Sequence, residues 1–319
     1  MLNVVVFPSG RHRYVLHQGK GMEITRVKGN TFVIDTGMLY LPFYKLGDHE
    51  IVLLDSGWSG DVEGIQQALD AAALNVVGII CSHAHPDHIG NNAYFRRKAA
   101  CTIAMPRDEA FLCSSLANLK IYYDTAALTM GRIRKHYSYM VCETDLPIAD
   151  TQRSLPMAGA PFGIIHIPGH SSAQIGIVTP DDVAYLADGL ISRDVMKGAK
   201  VPFSFILKDD LESKSRLHDL ECGRYILAHK GIFTEISSVI EENIAFYKER
   251  ASRILELVDD KLTMEQILQK AVKSFAIRIT NPDKYDVIFR MVRCYVEYLL
   301  DTDMIMLFME DGLEKFSKS

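Results

Sequence analysis

The sequence predicts an α/β domain over residues 1–232, followed by a helical segment over 233–319. Three observations predict it. Short runs rich in β-branched and aromatic residues alternate with helical stretches across roughly the first 232 positions. One of these runs, VVGIIC at 76–81, is apolar throughout, as a strand buried on both faces should be, and it leads straight into a histidine-rich segment. After about Thr234 the apolar spacing becomes helical and stays so almost to the end.

Taken in order, TFVIDTG, LYLPFYKL and EIVLLDSG read as strands separated by Gly, Pro and Asp. Ser59 to Leu74 reads as a helix. Ser59 is placed to cap it, Asp61 and Glu63 suit its first turn, and Val62, Ile65, Leu69 and Ala72 share a face. Residues 90–140 read as mostly helical, interrupted by the strand-like CTIAM at 101–105. Strand-like runs return as GIIHIP (163–168), QIGIVT (174–179), VAYLAD (183–188) and YILAH (225–229). The stretch 190–216 has little periodicity and reads as a long connection. Beyond it, Val239, Ile244, Tyr247, Ile254 and Leu257 form an inward stripe on a long helix. Thr263 with Gln266 is a capping box for a second helix, and Tyr285–Leu300 is a third. DTDMIMLFMEDGLEKF closes the chain as a hairpin turning at Asp311-Gly312. Three helices and a hairpin is the order of a winged-helix module.

Composition excludes several classes. Of 319 residues, 48% are hydrophobic and 24% charged, an ordinary globular balance with ample core material. The net charge of −5 argues against a surface devoted to nucleic acid. None of the 6 cysteines lies in a CxxC pair, so neither a zinc ribbon nor a thioredoxin-type motif is present, and scattered thiols fit a reducing compartment. The opening MLNVVVFPSGRHRY lacks the shape of a signal peptide, and no apolar run approaches the ~20 residues of a membrane span. The expected setting is cytoplasmic, with no membrane partner.

The chemistry sits in His83-Ala84-His85-Pro86-Asp87-His88, four metal-ligating side chains within six residues just past a buried strand. Imidazole nitrogen with carboxylate oxygen suits zinc or iron. In an extended loop His83 and His85 can serve one ion, and Asp87 and His88 a second. The segment resembles the HxHxDH signature of the metallo-β-lactamase superfamily, and the rest of the chain extends the likeness. His170 stands in a Pro-Gly-His-Ser turn after GIIHI, Asp188 ends AYLAD, and His229 ends YILAH. All seven residues occur in the family's order over approximately residues 20–232.

The resemblance implies a four-layer αββα fold. It implies two divalent ions, zinc by default with iron or manganese as alternatives. His83, His85 and His170 would bind one, Asp87, His88 and His229 the other, and Asp188 would bridge them. Asp87 and Asp188 are the carboxylates it assigns to catalysis. Asp55 in LLDSG matches a family Asp that orients a ligand rather than binding metal. The expected activity is hydrolysis by a metal-bridging hydroxide. Asp188 where some β-lactamases carry Cys, His85 where flavodiiron proteins carry Glu, and the lack of a β-CASP-sized insertion leave a chain similar to the glyoxalase II branch, with its C-terminal winged-helix-like segment. A small thioester, lactone or ester is the expected substrate. Phosphodiester or RNA cleavage, mononuclear-iron sulfur dioxygenation and a non-catalytic metal scaffold are the alternatives.

Other residues are assigned more modest parts. His166 is expected to be a hydrogen-bonded core residue and Cys81 a packing residue. His12, His17, His49, His136 and His218 lack supporting spacing. Arg193, Lys197 and Lys200 are placed to contact an anionic substrate, and Tyr122, Tyr123, Phe203 and Phe205 to form an apolar wall. From Ile236 to Ser319 there are 12 Lys and Arg against 15 Asp and Glu. That balance assigns the segment to packing or to assembly, a homodimer included, rather than to nucleic acid.

Overall fold

The computed structural model describes residues 22–123 and 129–319. His12, His17 and the opening fourteen residues read above for a signal peptide lie outside the described residues. Seven strands form a first sheet in sequence order: β1 (Glu23–Lys28), β2 (Thr31–Asp35), β3 (Tyr40–Lys45), β4 (Glu50–Leu54), β5 (Asn75–Ile80), β6 (Thr102–Pro106) and β7 (Leu146–Ile148). β1 to β4 pair antiparallel and β4 to β7 parallel. Parallel neighbours need crossovers. Helices α1 (Val62–Ala71), α2 (Pro86–Ile89), α3 (Asn92–Ala99), α4 (Arg107–Cys113), α5 (Leu116–Tyr122) and α6 (Met130–Tyr137) lie on them.

The second sheet holds β8 (Ser154–Met157), β9 (Ala160–His166), β10 (Ile175–Thr179), β11 (Val183–Tyr185), β12 (Arg224–Leu227) and β13 (Gly231–Phe233), side by side in that order. Only β11 and β12 run parallel, and α7 (Arg193–Gly198) and α8 (Leu207–Arg216) lie on their connection.

Strand alternation builds the layers. On β4, Ile51 and Leu53 face the helices, with Ile65 and Leu69 of α1 and Phe95 of α3. Val52 and Leu54 face the other sheet, meeting Phe162, Ile177 and Ile226. On β12, Ile226 points between the sheets, whereas Tyr225 and Leu227 meet Val239 and Ile240. The result is a helix–sheet–sheet–helix sandwich, as expected.

The chain then runs through α9 (Ser237–Leu257), α10 (Met264–Ser274), α11 (Pro282–Asp301) and a hairpin of β14 (Ile305–Glu310) and β15 (Leu313–Lys318). The Thr263–Gln266 capping box is present in full. Asp311 and Gly312 both adopt positive φ, the geometry of a tight hairpin turn. A further apolar cluster joins these helices to Ile191, Val201, Phe203, Leu207 and Leu211 of the β11–β12 connection.

Four readings need correction. The 59–74 helix begins as a 3-10 turn at Ser59–Asp61, Ser59 does not cap it, and Ala72 is exposed beyond its end. The 190–216 connection contains α7 and α8. The buried stripe of α9 is Val239, Ile240, Asn243, Tyr247, Ala251 and Ile254, with Ile244 and Leu257 only half-buried. Strands β1, β7, β8 and β13 are additional to those read from sequence. Among the described residues, no helix is long and apolar enough to cross a membrane.

Candidate metal centre

All seven predicted residues converge, each from the segment that follows a strand, Asp87 and His88 from the short helix α2 and the others from loops. His83, His85, Asp87 and His88 follow β5, His170 follows β9, Asp188 follows β11 and His229 follows β12. They fall into two groups: His83, His85, His170 and Asp188; and Asp87, His88 and His229. In each, one potential ligand atom per residue lies within 4.8 Å of all the others. Every one of the seven is buried.

Local backbone makes the convergence possible. Gly169, before His170, has φ of 123°, and a Cβ there would lie 2.1 Å from the Asp210 backbone nitrogen. No other residue fits so tight an approach. Asp55 and Lys230 also occupy the left-handed region, at φ 67° and 66°.

Asp188 reaches both groups. Its Oδ2 lies 3.2 Å from His170 Nε2. Its Oδ1 lies 3.5 Å from His88 Nε2 and 3.4 Å from His229 Nε2. Asp87 Oδ2 is 3.5 Å from His229 Nε2 and 3.9 Å from His88 Nε2. In the first group, His85 Nδ1 is 2.9 Å from His83 Nε2 and 3.1 Å from His170 Nε2.

The surrounding hydrogen bonds fix which nitrogens face inward. Asp55 accepts from His88 Nδ1 at 2.7 Å, from the Tyr185 hydroxyl at 2.6 Å, and from both the backbone and the hydroxyl of Ser82 at 2.6 and 2.8 Å. With the Ser82 hydrogen committed to Asp55, His83 Nδ1 donates to Ser82 Oγ at 2.9 Å. His83 therefore presents a bare Nε2. On its outer side His85 Nε2 lies 3.1 Å from the Tyr122 hydroxyl, and a proton on that nitrogen leaves Nδ1 bare toward the cluster. Asp55 thus has the orienting part expected of it, and it serves both groups.

These facts test whether metal fits. His85 Nδ1 stands 2.9 and 3.1 Å from two other ring nitrogens, His83 Nε2 and His170 Nε2, a convergence of three imidazoles that a shared cation accommodates. His88 Nε2 is buried and has no well-formed hydrogen bond, its nearest acceptor being Asp188 Oδ1 at 3.5 Å, although its ring is held firmly by Asp55. Both features are what ligand nitrogens show, and the two groups fit a dinuclear metal site. Protonation agrees. Burial, then neighbouring imidazoles, pushes His83 and His85 well below the ordinary imidazole range, keeping them neutral. For His88 and His229, burial is outweighed by carboxylates, Asp188 foremost, and both are raised. Asp188 is buried too, yet His229, His88 and His170 hold it well below the usual carboxylate range.

One residue was missed from sequence. Glu109 on α4 is fully buried and accepts from the Ala84 backbone at 2.9 Å, the Ser171 and Ser172 hydroxyls at 2.7 and 2.9 Å, and the Ala173 backbone at 2.8 Å. It ties the His83–His88 loop to the His170 loop. Its only sequence signal was an acidic residue in the first turn of a helix.

The apolar wall is partly present. Phe203 lies 5.8 Å, ring to ring, from both His85 and His170, and Phe205 lies 5.5 Å from Tyr122. Tyr123 is instead core, stacked on Tyr137. The anion contacts are not formed: Arg193 pairs with Glu242 at 2.7 Å, Lys197 with Asp194 at 2.7 Å, and Lys200 is exposed. His166 is half-buried and bonded to the Gln152 carbonyl at 2.7 Å, away from the cluster. Cys81 packs in the core as expected.

The profile described as Metallo-beta-lactamase superfamily matches residues 43–229. No curated protein is a match. The fold is similar to that of a metallo-beta-lactamase family protein from Thermus thermophilus, at 20% identity and TM-score 0.65 over 88% of this chain and 94% of that one. A beta-lactamase domain protein from Burkholderia ambifaria is similar at 13% identity and TM-score 0.67, covering 93% and 94%. A beta-lactamase from Chitinophaga pinensis is similar at 16% and 0.52, covering 80% and 96%.

Proposed function

The chain belongs to the metallo-beta-lactamase superfamily, and from that premise we propose that it is a dinuclear metallo-hydrolase acting on a small thioester, lactone or ester. The observation that carries the reading is Asp188, one carboxylate whose two oxygens face the two groups. His83, His85 and His170 would hold one ion, Asp87, His88 and His229 the other, and Asp188 would bridge. Two divalent ions, zinc by default, would polarise a carbonyl oxygen and lower the pKa of water from about 15.7 to near 7.

The protein's own part is orientation and exclusion of water. Asp55 turns the His88 ring, and through Ser82 the His83 ring, so that one nitrogen of each faces inward. Glu109 holds the two first-group loops at a fixed spacing. Phe203 covers His85 and His170. Asp87 and Asp188 bring negative charge that offsets the ions.

An acyl substrate is favoured over a phosphodiester because two of the three basic residues expected to meet an anion are engaged elsewhere: Arg193 with Glu242, and Lys197 with Asp194. Residues 1–232 form the catalytic domain in this reading, and 233–319, with three helices and a hairpin, a winged-helix-like segment like that of the glyoxalase II branch. Metal content and turnover on a panel of thioesters, lactones, phosphodiesters and persulfides test it. Two ions per chain with acyl hydrolysis are expected. One ion at saturation would remove the dinuclear assignment, and preference for a phosphodiester or a persulfide would replace the substrate class.

A further inference from the structure

We propose that Arg290 of α11 and Tyr122 of α5 are positioning residues that together set the orientation of His85, and so the affinity of the first metal group. The inference rests on the metal-centre reading above and adds to it a part for the C-terminal segment.

A ligating imidazole is commonly steered by an acceptor on its second nitrogen. His88 has a carboxylate in that place, Asp55. Among the described residues His85 has a phenol there instead, the Tyr122 hydroxyl at 3.1 Å. A phenol is a weaker steering group. It is neutral, and on a half-buried side chain its orientation depends on what holds the ring. What holds it is Arg290. The guanidinium lies 5.1 Å from the Tyr122 ring centroid, 5.0 Å from that of Tyr123 and 5.1 Å from that of Phe203, and it hydrogen-bonds Tyr122.

A guanidinium only donates. The Tyr122 oxygen therefore accepts from Arg290 on one side and meets His85 Nε2 on the other, so the arginine fixes where the hydroxyl sits against that nitrogen. Arg290 withdraws charge from the phenol oxygen without taking its proton, and it stacks the ring in one plane. Phe203, the third ring around Arg290, also touches His85 and His170. A single cation from the C-terminal segment thus organises the aromatic box around the first group. Asp55 supports the second group directly at His88 and reaches the first only at His83, through Ser82.

The test is metal binding to the full-length chain, zinc read against a competing chelator, with cobalt(II) substitution as a spectroscopic report on each ion. Tyr122→Phe is expected to weaken one of the two ions by ~10–100-fold, the range for loss of an orienting partner, and to leave the other near wild type. The cobalt bands of the weakened ion should shift. Arg290→Met should weaken the same ion, Arg290→Lys should recover part of that loss, and Tyr122→Phe with Arg290→Met should be no worse than Tyr122→Phe alone.

Unchanged affinity for both ions in Tyr122→Phe would overturn the inference. So would equal loosening of both ions by Arg290→Met, or an Arg290 effect that adds in full to that of Tyr122. If Tyr122→Phe does not fold, the Met and Lys variants of Arg290 decide, and wild-type affinity in both overturns the proposal. A wild-type chain that binds no metal would instead defeat the metal-centre reading itself.

Discussion

Asp188 is a carboxylate pulled in two directions, and its replacement separates the ligand assignment from ordinary core packing. Asp188→Asn keeps the shape but removes the charge, and an amide bridges metals poorly. Metal affinity should fall by at least the ~10–100-fold typical of losing a mere orienting partner. His166→Asn is the control, because its ring bonds only the Gln152 carbonyl in the described contacts. It should leave metal content in the folded fraction near wild type, and full metal retention by Asp188→Asn would refute the assignment. Asp61 makes a separate pH prediction. Burial raises its pKa to about 6 against an ordinary 3.8, with a Thr36 hydrogen bond opposing, and its Oδ2 has no partner among the described residues. The folded state therefore holds this proton more tightly than the unfolded one. That contribution is complete below about pH 3.8 and is lost as pH rises through 6. Asp61→Asn should gain Tm over wild type at pH 7–8 and lose that advantage near pH 4. A Tm difference independent of pH would contradict this. At this scale the seven clustered residues were legible because ligating side chains stand beside strand ends in the chain itself. Glu109 was not, because its meaning depends on two loops that meet only in the fold.

Among the elements, legibility followed burial. β5 and β10 lie inside their sheets, so their sequences are almost purely apolar and could be read directly. β7, β8 and β13 are strands of three or four residues at sheet edges: Leu146 of β7 and Ile232 of β13 are exposed, and the alternation of β8, with Leu155 and Met157 inward, spans too few residues to stand out. α7 buries no residue at all, and α8 buries Asp210, Ser213 and Lys214 beside Leu207 and Leu211. The buried Lys214 is neutralised by Asp210 and lies 4.6 Å from the Tyr247 ring, so polar residues occupy the face where periodicity looks for apolar ones. α10 is the opposite case, since its start is local chemistry. The Thr263 hydroxyl accepts from Gln266 N–H, and the Gln266 side chain accepts from Thr263 N–H at 2.8 Å. Thr263→Ala should cost about 1 kcal/mol, within the 0.5–2 kcal/mol range for caps, measurable by denaturant titration. A loss below 0.3 kcal/mol would mean that packing of Ile267, Leu268 and Ala271 alone sets the helix start.

Over the whole molecule, the core does not stop where the sequence pattern changes. Ile191, Val201, Phe203, Leu207 and Leu211 precede residue 233, yet they share one apolar cluster with Tyr247, Ile254, Met291, Tyr295 and Phe316. The Tyr295 hydroxyl donates to the Pro202 carbonyl at 3.0 Å, and Asn243 accepts from the backbone of Ile191 and donates to it, both at 2.9 Å. The segment that carries Phe203 to His85 and His170 is therefore held from the C-terminal side. Removing residues 236–319 should do more than shorten the chain. It uncovers several fully buried apolar side chains, each worth about 1.5–3 kcal/mol when buried, against a total stability of only about 5–15 kcal/mol. The truncated chain is expected to aggregate on size-exclusion chromatography. Any soluble fraction should bind the first ion more weakly than the full chain, because Phe203 loses its backing and Tyr122 its arginine. A truncated protein that stays monomeric with two tightly bound ions would show that residues 1–235 hold the site unaided, and the helices and hairpin would then need another explanation than support of the metal centre.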